Sequence, residues 1–538
     1  MENELQVEYR RRNRSFSMDY FYEPGTPRTR LEREAGISLS LGHSGLDDLV
    51  QGSVLSMIDR VLPNGALAES FGEIGGGYRY DGVFCRSVGE YVWPMCAFGR
   101  PDLAEKALRF MLEHVPWGQA YVPHTFHFDG RIYMNVMQVD SIGHAFYGVY
   151  HLWLFTGDLS LFTQYKYFFD TWLQSLTWLI LPEYNLVHSG NSNENVDGSS
   201  ETMCELFTNT TVLYGCRCLA VLMDVAGDGK RARLCRDLAD RIYQGIDTHL
   251  KSGIPTIYQV GFWVNEHRKP KPVPESYFKW LNAYSLRFVP ECDRSALAAT
   301  YRELVRRTEA DFGRYRITLG YPPPNYELLG KFAGWTLGYT ALAGRMNELE
   351  ALLNFVSEYT RKPRDLWPEC WLLKADWLDR TDPHRDMPWV NFTNDPDGDY
   401  TMDSGNCEQL VLSMEHLVRH VLGVDLRNGK PGIHPALPIG WGEVKVDGLL
   451  LPDGTGRASR IGYRYRAVDT GAVLKLNSLP DGELEVSVPA PNDRSYRIYL
   501  DGRQIKALRT EPGIEVDRAV CAVRNQISLK LEITYGNH

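Results

Sequence analysis

The chain is poor in the features that mark membrane, secreted and polyanion-binding proteins. No uninterrupted apolar stretch of about 18 residues occurs, so a transmembrane helix is not expected. The start, Met1-Glu2-Asn3-Glu4, is acidic and lacks the apolar core of a secretory signal. No basic run exceeds Arg10-Arg11-Arg12 and the net charge is -10, which argues against a dedicated nucleic-acid or anionic-membrane surface. The ten cysteines form no C-x-x-C pair and have no histidine at metal spacing. They read as reduced core thiols rather than a disulfide framework or a zinc site. Low-complexity tracts and sequence repeats are missing too. The expectation is a cytoplasmic globular chain with no membrane, no nucleic-acid partner and no cofactor.

What is present is length and helix. A chain of 538 residues can bury a large core and hold two or more domains. Helical periodicity covers 44–62, 84–98, 101–115, 139–156, 158–180, 206–226, 228–250, 275–288, 293–312, 330–344, 347–361 and 405–423. Phe98-Gly99-Arg100-Pro101, Thr156-Gly157-Asp158 and Ala226-Gly227-Asp228-Gly229 are short stop signals, so the helices they join are antiparallel neighbours. The links from one pair to the next, 62–83, 116–138, 181–205, 251–274, 313–329 and 362–404, are long, and long links without regular structure are usually functional. After Asp425 the period becomes strand-like, as in Ala472-Val473-Leu474-Lys475-Leu476 between Asp469-Thr470-Gly471 and Pro480-Asp481-Gly482. We therefore expect a mainly α chain divided into an N-terminal extension (1–43), a helical region (44–424) and a C-terminal β-sandwich (425–538).

Helical hairpins with alternating short and long links resemble the six-hairpin (α/α)6 barrel, whose long loops gather at one mouth. The loops here carry Trp117, Tyr121, His124, Phe126, His127, Trp367, Trp371, Trp377 and Trp389, flat rings suited either to stacking on sugars or to filling gaps between helices.

Four constellations carry candidate chemistry. Asn64 to Ser70, followed by Tyr80-Asp81-Gly82-Val83-Phe84-Cys85-Arg86-Ser87, offers Asp81 and Arg86 for charge-assisted hydrogen bonds, or a structural ion pair. Gln138-Val139-Asp140-Ser141-Ile142-Gly143 opens an apolar helix, with Asp140 either a ligand group or a helix N-cap. Glu194-Asn195-Val196-Asp197-Gly198-Ser199-Ser200 puts carboxylates in a turn-forming loop, catalytic or merely solvated. Last, Asn394-Asp395-Pro396-Asp397-Gly398-Asp399-Tyr400 leads to Glu408-Gln409. Its acidic loop lacks the full twelve-residue calcium pattern, so no metal is expected, and Glu408 can be read as a first-turn glutamate favoured by the helix dipole.

The order of these blocks resembles glycoside hydrolase family 15, the glucoamylases and their relatives, over roughly 44–423. Phe84, Ser87 and Asn193 depart from that family's pattern, in which Trp, a sugar-gripping Asp and Trp stand at these places. Ile433-His434-Pro435-Ala436-Leu437-Pro438 looks like the β-domain start of six-hairpin hydrolases and disaccharide phosphorylases. The resemblance implies a carbohydrate substrate and inverting hydrolysis, with Glu194 as general acid, Glu408 as general base and Asp395 as the alternative base. Asp81, Arg86, Gln138, Asp140, His124 and Trp389 would bind the sugar. Phosphorolysis, with Arg380, His384 and Arg385 around the phosphate, and a catalytically silent sugar-binding protein are the other readings.

Overall fold

Helices that are apolar all round belong inside, and helices with one apolar stripe belong outside. Helices among the described residues of the computed structural model include α1 (Thr26–Ala35), α2 (Ser44–Asp59), α3 (Cys85–Ala97), α4 (Pro101–His114), α5 (Asp140–Thr156), α6 (Ser160–Gln164), α7 (Lys166–Leu179), α8 (Leu206–Val225), α9 (Gly229–His249), α10 (Arg294–Arg307), α11 (Met346–Thr360) and α12 (Cys407–His416). The structure describes residues 26–69, 82–189, 202–265, 267–273, 283–289, 291–307, 327–329, 337–338, 340, 345–360, 370–373, 393–394, 400–402, 407–427, 429–438, 441–478, 482–490, 495–507, 509–511, 518–524 and 529–535.

Every residue of α3 is buried, and so is nearly all of α5 and most of α8. By contrast α4 buries Leu103, Ala104, Ala107, Leu108 and Met111 and leaves Asp102 and Lys106 in water. The fully buried helices pack side by side, α12 on α3, α3 on α5, α5 on α8, and α8 on the 3-10 turn Ala283–Phe288. The one-sided helices α4 and α9 lean on α3 and α8 from outside. Glycine permits the close approach of the inner helices, since a Cβ on Gly89 would lie 2.5 Å from the His144 carbonyl oxygen and one on Gly143 2.6 Å from that of Thr211.

Several expectations from periodicity need correction. The helix expected over 158–180 breaks at Tyr165 into α6 and α7, because Gln164 and Tyr165 turn aside to meet Arg109 and Glu113 of α4. The helix expected over 405–423 finishes in a π turn, Leu417–Val421, where Arg419 lies over the Trp93 ring. In the described part of 275–288 the chain winds as a 3-10 turn rather than an α-helix. Although it lacks an uninterrupted apolar run, α8 is by length and composition able to cross a bilayer, but it lies buried among α5, α9 and the 283–288 turn.

Nor are the long links without regular structure. Val83–Phe84 pairs with Pro123–Phe126, which pairs with Ile132–Met137, all antiparallel. The first strand runs directly into α3 and the third ends just before α5, so this small sheet holds the two helix starts together. Thr202–Glu205 pairs with Gly261–Val264 and runs directly into α8.

Beyond residue 423 the described chain is strand. It forms a seven-stranded sheet and a five-stranded sheet; in the larger one Val444–Pro452 begins with buried and exposed residues in alternation, Val444 and Val446 buried and Lys445 and Asp447 exposed, while in the smaller Glu483–Pro489 buries Leu484 to Val488 without a break. Ser38–Ser40, from the stretch expected as an N-terminal extension, adds the edge strand of the larger sheet, with Ser38 opposite Asp447. Cys85, Cys96, Cys204, Cys216, Cys218, Cys235, Cys407 and Cys521 are buried free thiols, and Cys292 is a partly buried one.

Candidate active site

The starts of α3, α5 and α12 meet at one point. There the Arg86 Nε donates to Asp140 Oδ2 at 2.7 Å, and Glu408 Oε1 lies 3.6 Å from the same guanidinium. Arg86, Asp140 and Glu408 are all buried. Burial works against the Arg86 charge, but Asp140, Glu408 and Glu90 more than offset it and hold the guanidinium protonated. Burial likewise pushes the Asp140 carboxyl up, while Arg86 and then His144 override it and hold the group below the usual carboxylate range. Asp140 is the first residue of α5 and makes no capping bond, so Arg86 and not the helix end is the partner of its carboxylate.

One helical turn deeper lies a second buried pair, at i+4 from the first on both helices. His144 Nδ1 stands 2.8 Å from the Asp140 carbonyl, which only accepts, so Nδ1 carries a proton. His144 Nε2 then faces Glu90 Oε1 at 3.1 Å, and a proton lies between them. Burial pushes the Glu90 carboxyl up, against the pull of His144.

A fourth carboxyl comes from the segment before α3. Glu69 is buried, and its Oε1 accepts the Glu408 main-chain N–H at 3.1 Å. Burial raises its carboxyl to about 7, with the neighbouring Glu408 charge adding to the rise and the Ser87 hydroxyl and Arg60 opposing it. Ser87, which stands where the family pattern has Asp, thus has a carboxyl beside it, delivered by Glu69.

The structure brings Arg86, Asp140 and Glu408 together, with Gln138 leading into α5 at the same end. Gln138 is buried and its Oε1 has no partner among the described residues; the same holds for Glu90 Oε2 and Asp140 Oδ1. Buried acceptors in excess of donors suit a ligand rich in hydroxyl groups. His124 contacts Phe84 edge-on at 5.1 Å between ring centres and adds the smallest of the pulls that lower the Asp140 carboxyl. Of the other loop rings, Phe126 is core, His127 tilts against Tyr133, and Trp117 is 77% exposed and stacks on Tyr167. Asp81, Glu194, Trp389, Asp395, Arg380, His384 and Arg385 lie outside the described residues.

Sequence reasoning gave no role to Glu69, Glu90 or His144. A signal for two of them existed: Glu90 and His144 fall past the first turn of helices that are mainly apolar there, and a buried ionisable group in such a helix needs a partner. No group of three or more His, Cys, Asp or Glu among the described residues is arranged to hold a metal.

In overall fold the chain is similar to an α-L-rhamnosidase from Dictyoglumus thermophilum, with a TM-score of 0.53 and 12% identity over 93% of this chain and 50% of that one. It is also similar to a Streptomyces avermitilis α-L-rhamnosidase solved with L-rhamnose, with a TM-score of 0.52 and 13% identity over 92% and 42% of the two chains. A metal-independent α-mannosidase structure from Streptococcus pneumoniae gives a TM-score of 0.50 and 12% identity over 73% of this chain and 96% of that one. The likeness is one of fold. The chain spans half or less of the two rhamnosidases. No family model and no curated protein matches it.

Proposed function

We propose that this chain is an inverting glycoside hydrolase built as an (α/α)6 six-hairpin barrel with a C-terminal β-sandwich, acting on an α-linked sugar. The observation that carries the reading is the buried cluster of Arg86, Asp140 and Glu408 at the starts of α3, α5 and α12. Arg86 and Asp140 fix each other by a charge-assisted hydrogen bond, and Asp140 Oδ1 and Gln138 Oε1 are left to accept from sugar hydroxyls. Glu408 is the general base that takes a proton from water on one face of the sugar. Glu194 is the general acid that protonates the leaving oxygen on the other; inversion in general calls for carboxyls about 6.5–9.5 Å apart. Asp395 is the alternative base, and Asp81, His124 and Trp389 complete the sugar site. The α-L-rhamnosidases and the α-mannosidase of similar fold motivate α-rhamnosides and α-mannosides as first substrates. Narrower placement in glycoside hydrolase family 15 rests on the order of the sequence blocks.

The test is a panel of p-nitrophenyl α-L-rhamnoside, α-D-mannoside and α-D-glucoside, each with and without inorganic phosphate. NMR would identify the first-formed anomer. Turnover without phosphate and with inverted configuration is expected, and Glu408→Gln should lower kcat by about 10³-fold. Strict dependence on phosphate would make the enzyme a phosphorylase, and sugar binding without turnover would make it a binding protein. Unchanged turnover in Glu408→Gln would remove Glu408 as the base.

A further inference from the structure

Glu69 holds the start of α12 with two different groups. Its main-chain carbonyl accepts the Cys407 N–H at 2.7 Å, and its carboxyl Oε1 accepts the Glu408 N–H at 3.1 Å. These are the first two amides of α12, which have no partner within the helix. An N-cap side chain normally comes from the residue just before the helix, whereas this one comes from 339 residues away. Glu69 is itself held in place. Its N–H donates to the Gly82 carbonyl at 3.1 Å, and Arg60 Nη1 donates to the carbonyls of Ala68 and Glu69 at 3.1 and 2.5 Å.

We propose that Glu69 is a positioning residue for Glu408, fixing through the start of α12 where the Glu408 carboxylate stands relative to Arg86. This rests on the reading of Glu408 as the general base. A base displaced by a fraction of an ångström attacks from the wrong place, so the clamp acts on turnover more than on binding.

The protonation of Glu69 completes the device. The groups that face it are Arg60 from the end of α2, Ser87 from α3, and Cys407 and Glu408 from α12, with Arg86 and Glu90 facing Glu408 in turn. Arg60 spends hydrogen bonds on main-chain carbonyls, and burial keeps the Glu69 proton on up to about pH 7. A neutral Glu69 leaves the negative charge beside Arg86 on Glu408, where a base needs it. Two ionised carboxylates at this spot would instead raise the proton affinity of Glu408.

Glu69→Gln and Glu69→Ala distinguish these contributions. Glutamine keeps an acceptor oxygen for the Glu408 amide and cannot ionise, so at pH 6 its kcat should stay within threefold of wild type. Alanine removes the acceptor, and its kcat should fall by about 10²-fold with KM changed less than threefold. If alanine keeps full turnover, or if glutamine and alanine fall equally, the proposal is overturned.

The melting temperature of the full chain between pH 5 and 8 needs no substrate. A carboxyl whose value rises from 4.5 to about 7 on folding stabilises the fold below pH 4.5, and that stability is lost as pH climbs through 7. The wild-type melting temperature should therefore fall over this interval more steeply than that of Glu69→Gln. Identical slopes would overturn the neutral carboxyl. A panel in which no glycoside turns over would sink the hydrolase reading, while this slope would still decide whether Glu69 is the buried acid.

Discussion

Helices α3, α5 and α12 carry buried polar groups near both ends, and the two ends are built on different plans. At the starts, three carboxyl groups, from Glu90, Asp140 and Glu408, gather around Arg86, with Glu69 joined to them through Glu408, and oxygens of Glu90 and Asp140 have no partner among the described residues. Toward the far ends the charges balance. Arg419 Nε lies 2.9 Å from Glu415, Nη1 donates to Asp425 at 2.7 Å, and the guanidinium sits 3.4 Å over Trp93. Arg287 adds a 3.5 Å contact to Glu415. Burial, with help from the two arginines, pushes His151 and His416 well below the usual imidazole value, so these rings are neutral. A balanced cluster stacked on an aromatic ring supports the fold. An acceptor-rich cluster at helix starts is arranged for something that brings hydroxyl donors.

Removing the arginine from each end is the sharpest way to break this contrast. Arg86→Met strips the cation from among its carboxylates. It should abolish detectable turnover and destabilise the fold by about 3–5 kcal/mol, as when one partner of a buried pair is lost. Arg419→Met should destabilise by a similar amount in urea denaturation, yet leave KM and the pH profile of the surviving enzyme unchanged. A shifted pH profile in Arg419→Met would mean that the two ends work as one site. The smallest effect expected is that of Gly89→Ala. Its Cβ would press on the His144 carbonyl, parting α3 from α5, with a stability loss of about 1–3 kcal/mol and a raised KM as the Arg86–Asp140 pair loosens. An unaltered KM would show that the pair tolerates the shift.

The helix pairs were legible because an apolar stripe repeats within a few residues and Gly or Pro marks where it stops, as at Phe98-Gly99-Arg100-Pro101. The break at Tyr165 was not, since apolar residues continue on both sides of it and the cause is contact with α4. The strand Ser38–Ser40 was equally hidden, being too short for a periodic signal and made a strand by its partner Val444–Pro452. At the site, Arg86, Gln138, Asp140 and Glu408 stood out as polar residues at the starts of apolar helices. Glu69 offered little, because a glutamate ahead of a Gly-rich link looks like any surface residue until α12 is laid against it.

By itself the sequence determined where most of the long helices run, that the chain turns to strand after about residue 424, and that its acidic and amide groups fall at helix starts. Local periodicity and capping chemistry act over a few residues, so a linear reading reaches them. Tertiary structure alone decided the partners and their charge states. Arg86 and Asp140 are 54 residues apart, and Glu69 and Glu408 are 339 apart. Desolvation, which raises Glu69 to about 7, exists only once the helices have closed around it.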